Sequence, residues 1–541
     1  GSGGAGEQGR EEPPGGIAFS PAPLPHSSPA LEARWTVRAD RLAGLTVPAT
    51  LTGLLQARLD GLPRPEREAL QRAAVVGRLF WDDCVAGLLE TERVAIEPTL
   101  DAIQGRELIF QREHSTFSQA GEYIFKHALL RDVAYETVLL KYRAEFHGKV
   151  ARWLEENAGE RIGEYLGVIA EHFAQAGEFD RAAGYQQQSG EQALRAAAFR
   201  PARAAFERAL ALRQRGTAAP GAALPHCLGL GEACYRLSDF PAASDALSRA
   251  LALARDGGDT RAQAEALSWT ALVAISVGRA AEAGPLLEQA LSLARQVGGA
   301  ALARVLVHAA NHHWQQGNLD TAEAQAEEAL RLSHDLGDMS LQGSATRALG
   351  VIAGLRGDFD TSIRHFEAGI ALARQIGDRA QESKGLANLG ATRHYAGDYP
   401  GAVADYRASF EVDQELGMTE SMAFTAHNLA DVYNALGQLD ESRRFAVECI
   451  RLARPVGATP LQLAALVPLA EVLLKEGQTG RALALLGLAR SHPSTPNQKQ
   501  IGIREALATV TLDPAEVETA LAAGAALDFD TVVGEILAGK W

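Results

Sequence analysis

The 541-residue sequence predicts a mainly α chain: a long α-α superhelix of hairpins repeating about every 40 residues, preceded by a small mixed unit with one β-hairpin. Three observations predict it. Glycine-centred turns recur at a fixed spacing, a large Gly share goes with only 6% aromatics, and one short stretch switches from helical to alternating periodicity. The balance of 52 Lys+Arg against 67 Asp+Glu argues against a nucleic-acid coat and against an anionic membrane surface. No apolar run is long enough for a membrane span and no basic-then-apolar leader opens the chain, so it reads as cytoplasmic. Cysteines 84, 227, 234 and 449 form no CxxC pair and read as small core residues.

Taken in order, residues 1–34 are a Gly/Pro/Ser-rich linker with too few apolar groups to offset the entropy of ordering them. The missing initial Met suggests a piece of something larger. Residues 35–157 alternate several signals. Pro48 followed by Leu51, Leu54, Leu55, Leu59 and Leu62 starts an amphipathic helix, and further helices are expected over about 65–76, 81–90 and 96–106. Leu108, Phe110 and Arg112, then 116–125, alternate like a β-hairpin. One long helix over 126–156 closes the unit. Helices, a hairpin and a closing helix are the parts of a winged-helix domain.

The ladder follows. Turns at Gly278, Gly317, Gly357, Gly397, Gly437 and Gly477 are spaced by 39 or 40 residues, with Ser238, Ala197 and Gly177 as degenerate earlier members. A second ladder, Gly258, Gly298, Gly337, Gly377, Gly417 and Gly457, is offset by about 20. Glycine after a helix takes the left-handed conformation without steric penalty, so each ends a helix of 15 to 17 residues. With the turn glycine as repeat position 15, positions 20 and 27 are small in six consecutive hairpins, from Ala243 and Ala250 to Ser442 and Cys449. Positions 7 and 24 carry bulk, as in Leu389 and Tyr406. This is the pattern of a tetratricopeptide repeat (TPR) solenoid over 158–490, closed by a helical cap over 491–541. Since the common period is about 34, the second helix of each hairpin is expected to be longer by more than a turn.

Repeat positions 2, 6 and 9 of each first helix should face the concave groove. Arg304, His308, Asn311, Lys384, Asn388, Phe424 and Asn428 fall there, and cations and amides are the groups that clamp a peptide's carboxylate and backbone. A solvated face with helix-capping asparagines is the alternative. His308, His312 and His313 lack a third ligand at matching spacing, which argues against a metal. Gly534–Lys540 matches GxxxxGK by count, but Trp541 replaces the hydroxyl that would hold magnesium. No catalytic motif is found, so the chain reads as non-catalytic.

The segments TVPATLTGLLQARLDGLPRPEREALQRAAVVGRLFW (46–81) and EYIFKHALLRDVAYETVLLKYRAEFHGKVARWLE (122–155), followed by the ladder, resemble the winged-helix plus TPR half of bacterial STAND (AAA-type ATPase) regulators, which occur joined to adenylate/guanylate cyclase or LuxR-type modules. The resemblance implies a sensor whose TPR groove binds a peptide, protein or inducer. The winged helix would relay the change to an upstream ATPase domain, which carries the ATP/ADP and Mg and oligomerises when active. It also implies that His127, with Arg131 one turn on, senses the bound nucleotide; packing at the helix start is the alternative for His127. A stand-alone TPR adaptor and a DNA-binding regulator stay open, although the candidate recognition helix offers only Arg106 against Glu97 and Asp101.

Overall fold

The computed structural model describes residues 49–277, 279–495 and 497–541, so the linker, Trp35, Pro48 and the turn glycine Gly278 lie outside the described residues. The chain divides into two compact units, one reaching to Thr116 and adding Ala120–Val138, the other comprising Phe117–Gln119 and Leu139–Trp541.

The first unit holds α1 (Ala49–Asp60), α2 (Arg64–Val76), β1 (Leu79–Trp81), α3 (Asp82–Leu88), α4 (Arg93–Gly105), β2 (Ile109–Gln111), β3 (Glu122–Phe125) and α5 (Ala128–Glu136). The predicted hairpin forms with Ile109 opposite Phe125, and β1 adds a third antiparallel strand, giving the order β1-β3-β2. Leu70, Phe80, Leu100, Ile103, Phe125 and Leu130 are its fully buried core. The hairpin is anchored by the buried Glu122, which accepts from Arg112 Nη1 at 2.5 Å and Thr116 N at 2.8 Å. Burial pushes that carboxyl up, but the Thr116 and Arg112 donors outweigh it and hold it below the usual range.

The long helix expected over 126–156 is two helices. α5 ends where Thr137 Oγ1 donates to the Ala134 carbonyl, Leu139 is extended, and α6 (Leu140–Ala158) starts afresh. α6 packs on α7 (Ile162–Gln175), so the solenoid-side unit starts at Leu139 and not at 158.

The helices after α7 are α8 (Phe179–Arg195), α9 (Phe199–Arg215), α10 (Leu224–Arg236), α11 (Phe240–Asp256), α12 (Thr260–Ser276), α13 (Ala280–Val297), α14 (Gly299–Gln315), α15 (Leu319–Asp335), α16 (Met339–Leu355), α17 (Phe359–Ile376), α18 (Arg379–Tyr395), α19 (Tyr399–Leu416), α20 (Thr419–Ala435), α21 (Leu439–Ala453), α22 (Thr459–Lys475) and α23 (Thr479–Ser491). The cap is α24 (Asn497–Ala508), α25 (Pro514–Ala525) and α26 (Phe529–Leu537). This is the predicted superhelical TPR-like repeat. The longer period is shared between both helices, contrary to expectation: α16 and α17 have 17 and 18 residues, α20 and α21 have 17 and 15.

The described turn glycines are left-handed, Gly357 at φ 81° and Gly397 at 84°. The aspartate that follows caps the next helix, as when Asp358 accepts from Thr361 N and Asp398 from Gly401 N. Positions 20 and 27 are closed to solvent apart from the half-buried Gly369, with Ala322, Ala329, Ala402 and Cys449 all fully buried. A rule absent from the sequence reading emerges beside them. The bulky position 24 sits against a glycine at position 8 of the same hairpin: Phe366 on Gly350, Tyr406 on Gly390, Leu247 on Gly231.

Ala197 and Ser238 occupy two turns with φ 54° and 60°, a conformation that costs a non-glycine residue roughly 1–2 kcal/mol. Ala197→Gly is expected to stabilise by about 0.5 kcal/mol, because glycine's greater freedom in the unfolded chain offsets part of the relief. A raised midpoint in thermal unfolding followed by circular dichroism checks this.

Candidate ligand groove

α10, α12, α14, α16, α18, α20 and α22 touch one another in succession, whereas the second helices of the hairpins make no such series among the described residues. First helices therefore crowd the inner rim of the superhelix. Side chains from distant hairpins meet there. Arg236 of α10 lies 5.6 Å over the Trp269 ring of α12, and Trp269 meets His308 of α14 edge-on at 4.8 Å. Glu232 faces Arg236 at 3.4 Å and reaches past a whole hairpin to Arg304 at 3.8 Å.

Arg347 of α16 and Lys384 of α18 complete a rim of four cations. Lost hydration and the charge of Arg236 lower the Arg347 guanidinium. Lost hydration, then Arg236 and Arg347, push the Lys384 ammonium down to about 7. Water still reaches Lys384, which is exposed in the curve of the solenoid, so solvent screens part of that repulsion.

Of the sequence-predicted groove residues, Arg304 thus reaches Glu232, and Lys384 lies in the field of Arg236 and Arg347. His308 does not project: it is buried, its Nδ1 is 3.2 Å from Ser268 Oγ, and burial and then Arg304 push it down to about 3, leaving it neutral. Asn311 Oδ1 accepts from Trp314 Nε1 at 3.2 Å, so half its amide is already used. Asn388 and Asn428 are half-buried on the same rim, and Phe424 is 49% exposed.

Farther along, a second cluster was not foreseen. Lys499 of α24 meets Asp431 of α20 at 2.9 Å, and His427 Nε2 lies 3.3 Å from the same carboxylate. Lys475 Nζ donates to the Asn434 side chain at 2.7 Å, and Asn434 donates to Glu471. Burial, then Asp431, push Glu471 up to about 7. The signal was in the sequence: Glu471 repeats Asp431 at a spacing of 40, both at position 9. Burial pushes His427 down to about 4. A histidine depressed in the fold binds fewer protons folded than unfolded, so it destabilises as pH falls from about 6.5 toward 4. Glu471, raised in the fold, acts oppositely between about 4.3 and 7. Relative to the wild type, His427→Gln is expected to lose about 3 kcal/mol less between pH 6.5 and 4, measured by urea unfolding at each pH.

In the first unit, His127 is exposed at the start of α5 and its side chain makes no capping bond. Arg131 is occupied: its Nε donates to the Ala74 carbonyl at 2.9 Å, Nη1 meets Asp132 at 3.1 Å, and the guanidinium lies 4.9 Å over Tyr135. Arg106 is held by Glu66 at 2.8 Å. Among the described residues no helix is long and apolar enough to cross a membrane.

Tetratricopeptide repeat models match residues 262–333 and 425–455. No curated protein matches the sequence. Among solved structures, the chain is similar to the Signal Transduction ATPase with Numerous Domains (STAND) protein with a tetratricopeptide repeat sensor from Pyrococcus horikoshii. The identity is 14% and the TM-score 0.56, over 88% of this chain and 68% of that one. It is also similar to a Rap protein complexed with Competence and Sporulation Factor, at 13% identity and TM-score 0.46 over 64% of this chain and 99% of that one. The third is BtubC from P. vanneervenii, at 18% identity and TM-score 0.33 over 41% and 91%. The fold of this chain is accordingly that of a tetratricopeptide solenoid, carried through the repeats that those models match and beyond them.

Proposed function

We propose that the chain is the non-catalytic sensing and relay part of a signal-transduction ATPase. The concave face binds a peptide, protein or inducer, and the first unit, a winged-helix domain, passes the change to a nucleotide-binding module carrying ATP or ADP with Mg. The observation that carries this is the inner rim, where Arg304 on α14, Lys384 and Asn388 on α18 and Asn428 on α20 have solvent access. Likeness over 88% of the chain to a STAND protein that has a TPR sensor supports it. The winged-helix assignment is supported by helices followed by a β2–β3 hairpin against a third strand.

His127, exposed at a helix start, is free to meet a nucleotide, while Arg131 holds α5 to α2. Binding in the groove shifts the resting equilibrium only by its difference in affinity for the two states, so a tenfold change in activity needs about 1.4 kcal/mol of such difference. A DNA-reading role is disfavoured because Arg93, which the structure adds to the candidate recognition helix α4, pairs with Asp82, and Arg106, just past its end, is taken up by Glu66.

The test is ligand-dependent nucleotide exchange in the full-length protein carrying Lys384→Ala with Asn388→Ala. Loss of regulation with basal turnover kept is expected. Unchanged regulation would overturn the groove as sensor, and retained partner binding without any nucleotide effect would favour a plain adaptor.

A further inference from the structure

The chain carries a net charge of −15, yet its positive groups are not spread evenly among the negative ones. Elsewhere on the solenoid several half-buried arginines are matched by acids. Arg356 meets Asp320 and Glu323 at 2.5 and 2.6 Å, and Arg393 meets Asp405 at 2.6 Å and Glu367 at 3.1 Å. On the inner rim the matching fails. Glu232 is shared between Arg236 and Arg304 at 3.4 and 3.8 Å, and among the described residues neither Arg347 nor Lys384 has an ion-pair or hydrogen-bond partner. The Nε atoms of Arg236, Arg304 and Arg347 are buried with no acceptor among the described residues. Other carboxylates nearby are engaged: Glu265 pairs with Arg261 at 3.2 Å, Asp413 accepts from Ser383 and Ser421, and Asp378 caps the next helix at Gln381.

Four cations with one shared carboxylate leave a surplus of positive charge inside the curve. Leaving buried donors unpaired costs stability, and like charges in a partly desolvated groove repel, so a fold that keeps them needs a compensating anion. The guanidinium groups are reachable, with the Arg236 side chain 23% and the Arg304 side chain 31% exposed.

We propose that Arg236, Arg304, Arg347 and Lys384 form a polyanion site that takes a compact group bearing at least two negative charges, of phosphoryl or carboxylate chemistry, presented by the ligand of the groove. This rests on the reading of the concave face as the ligand groove and adds Arg236 and Arg347 to it. Guanidinium forks suit both oxyanion types, and Glu232 holds two of them in place in the absence of ligand. The lowered Lys384 ammonium is consistent, since a bound dianion beside it would restore its charge.

The experiment is calorimetric titration of the intact chain with inorganic pyrophosphate and, separately, with citrate, at low ionic strength and pH 7, alongside thermal unfolding. One equivalent of at least one probe should bind and raise the melting temperature. Arg347→Gln and Arg236→Gln should each weaken it at least tenfold, whereas Arg443→Gln, a paired arginine on a second helix, should leave it within twofold. Preference for pyrophosphate assigns a phosphoryl group and preference for citrate a carboxylate group. The unliganded Arg347→Met variant should melt higher than the wild type, because an unneutralised cation is removed. If an arginine variant fails to fold, Lys384→Gln, on a solvent-reached side chain, takes its place with the same tenfold expectation. No binding of either probe, or equal binding by wild type and variants, overturns the site. Because the probes need neither peptide nor nucleotide module, the site stands if they bind as expected even where regulation in the full-length protein is unaffected, and then only the sensor reading falls.

Discussion

Replacing Gly487 by valine is expected to detach the C-terminal helices from the solenoid and destabilise that end by about 3 kcal/mol or more. α23 and α25 cross backbone to backbone. A Cβ on Gly487 would stand 2.2 Å from the Leu521 carbonyl oxygen, and one on Gly524 would stand 2.3 Å from that of Ala484. No side-chain rotation relieves a clash with backbone atoms, so the helices must separate. Their separation exposes Leu521, Leu485 and Leu486, all fully buried, at a transfer cost of about 2 kcal/mol per leucine. Limited proteolysis should then cut between α23 and α25, in a lower first unfolding transition, while the middle hairpins keep their helical signal. An unchanged first transition would show that the crossing tolerates a Cβ.

Tyr406→Ala is expected to cost about 4 kcal/mol, the loss typical of a large aromatic removed from a core that cannot collapse. Its ring is 1% exposed and lies on Gly390, where a Cβ would come within 2.9 Å. The cavity left behind is walled by helix backbone, so the neighbours have little freedom to fill it. Because each hairpin contacts chiefly its neighbours, the loss should be local. Hydrogen exchange should therefore accelerate across α18 and α19 first, with protection at α10 and α11 unchanged. Uniform acceleration along the whole solenoid would contradict that.

How much of this was readable in the sequence depended on whether the physics was local. The glycine ladders were legible because a positive φ penalises other residues at that point in the chain, and the hairpin at β2–β3 was legible because alternation is local too. β1 was not: Leu79–Trp81 is three apolar residues between helices, too short for any period to register. The break after α5 was missed because Thr137, Val138 and Leu139 include neither glycine nor proline. The groove was half legible. Counting positions 2, 6 and 9 found Arg304 and Lys384, but Arg236 and Arg347 sit at positions 13 and 5 and join them only through the curvature of the stacked helices, which no linear period states. His308 fell on a groove position yet is covered because Trp269 of the preceding first helix turns its ring onto it.

The pairing of a glycine at position 8 with a bulky residue at position 24 has a bearing on how such a chain can change length. Knob and hole belong to one hairpin, as with Phe366 and Gly350 or Tyr406 and Gly390. Duplicating or deleting a whole 40-residue unit therefore carries each fit along intact, and the seam needs only small residues on both sides. The Glu232–Arg304 contact breaks that independence, because it spans an intervening hairpin. Copying a unit between α10 and α14 would pull those two residues apart and losing one would seat them on adjacent hairpins out of register, so this stretch has a length that inheritance must preserve, while the stretches outside it are free to grow.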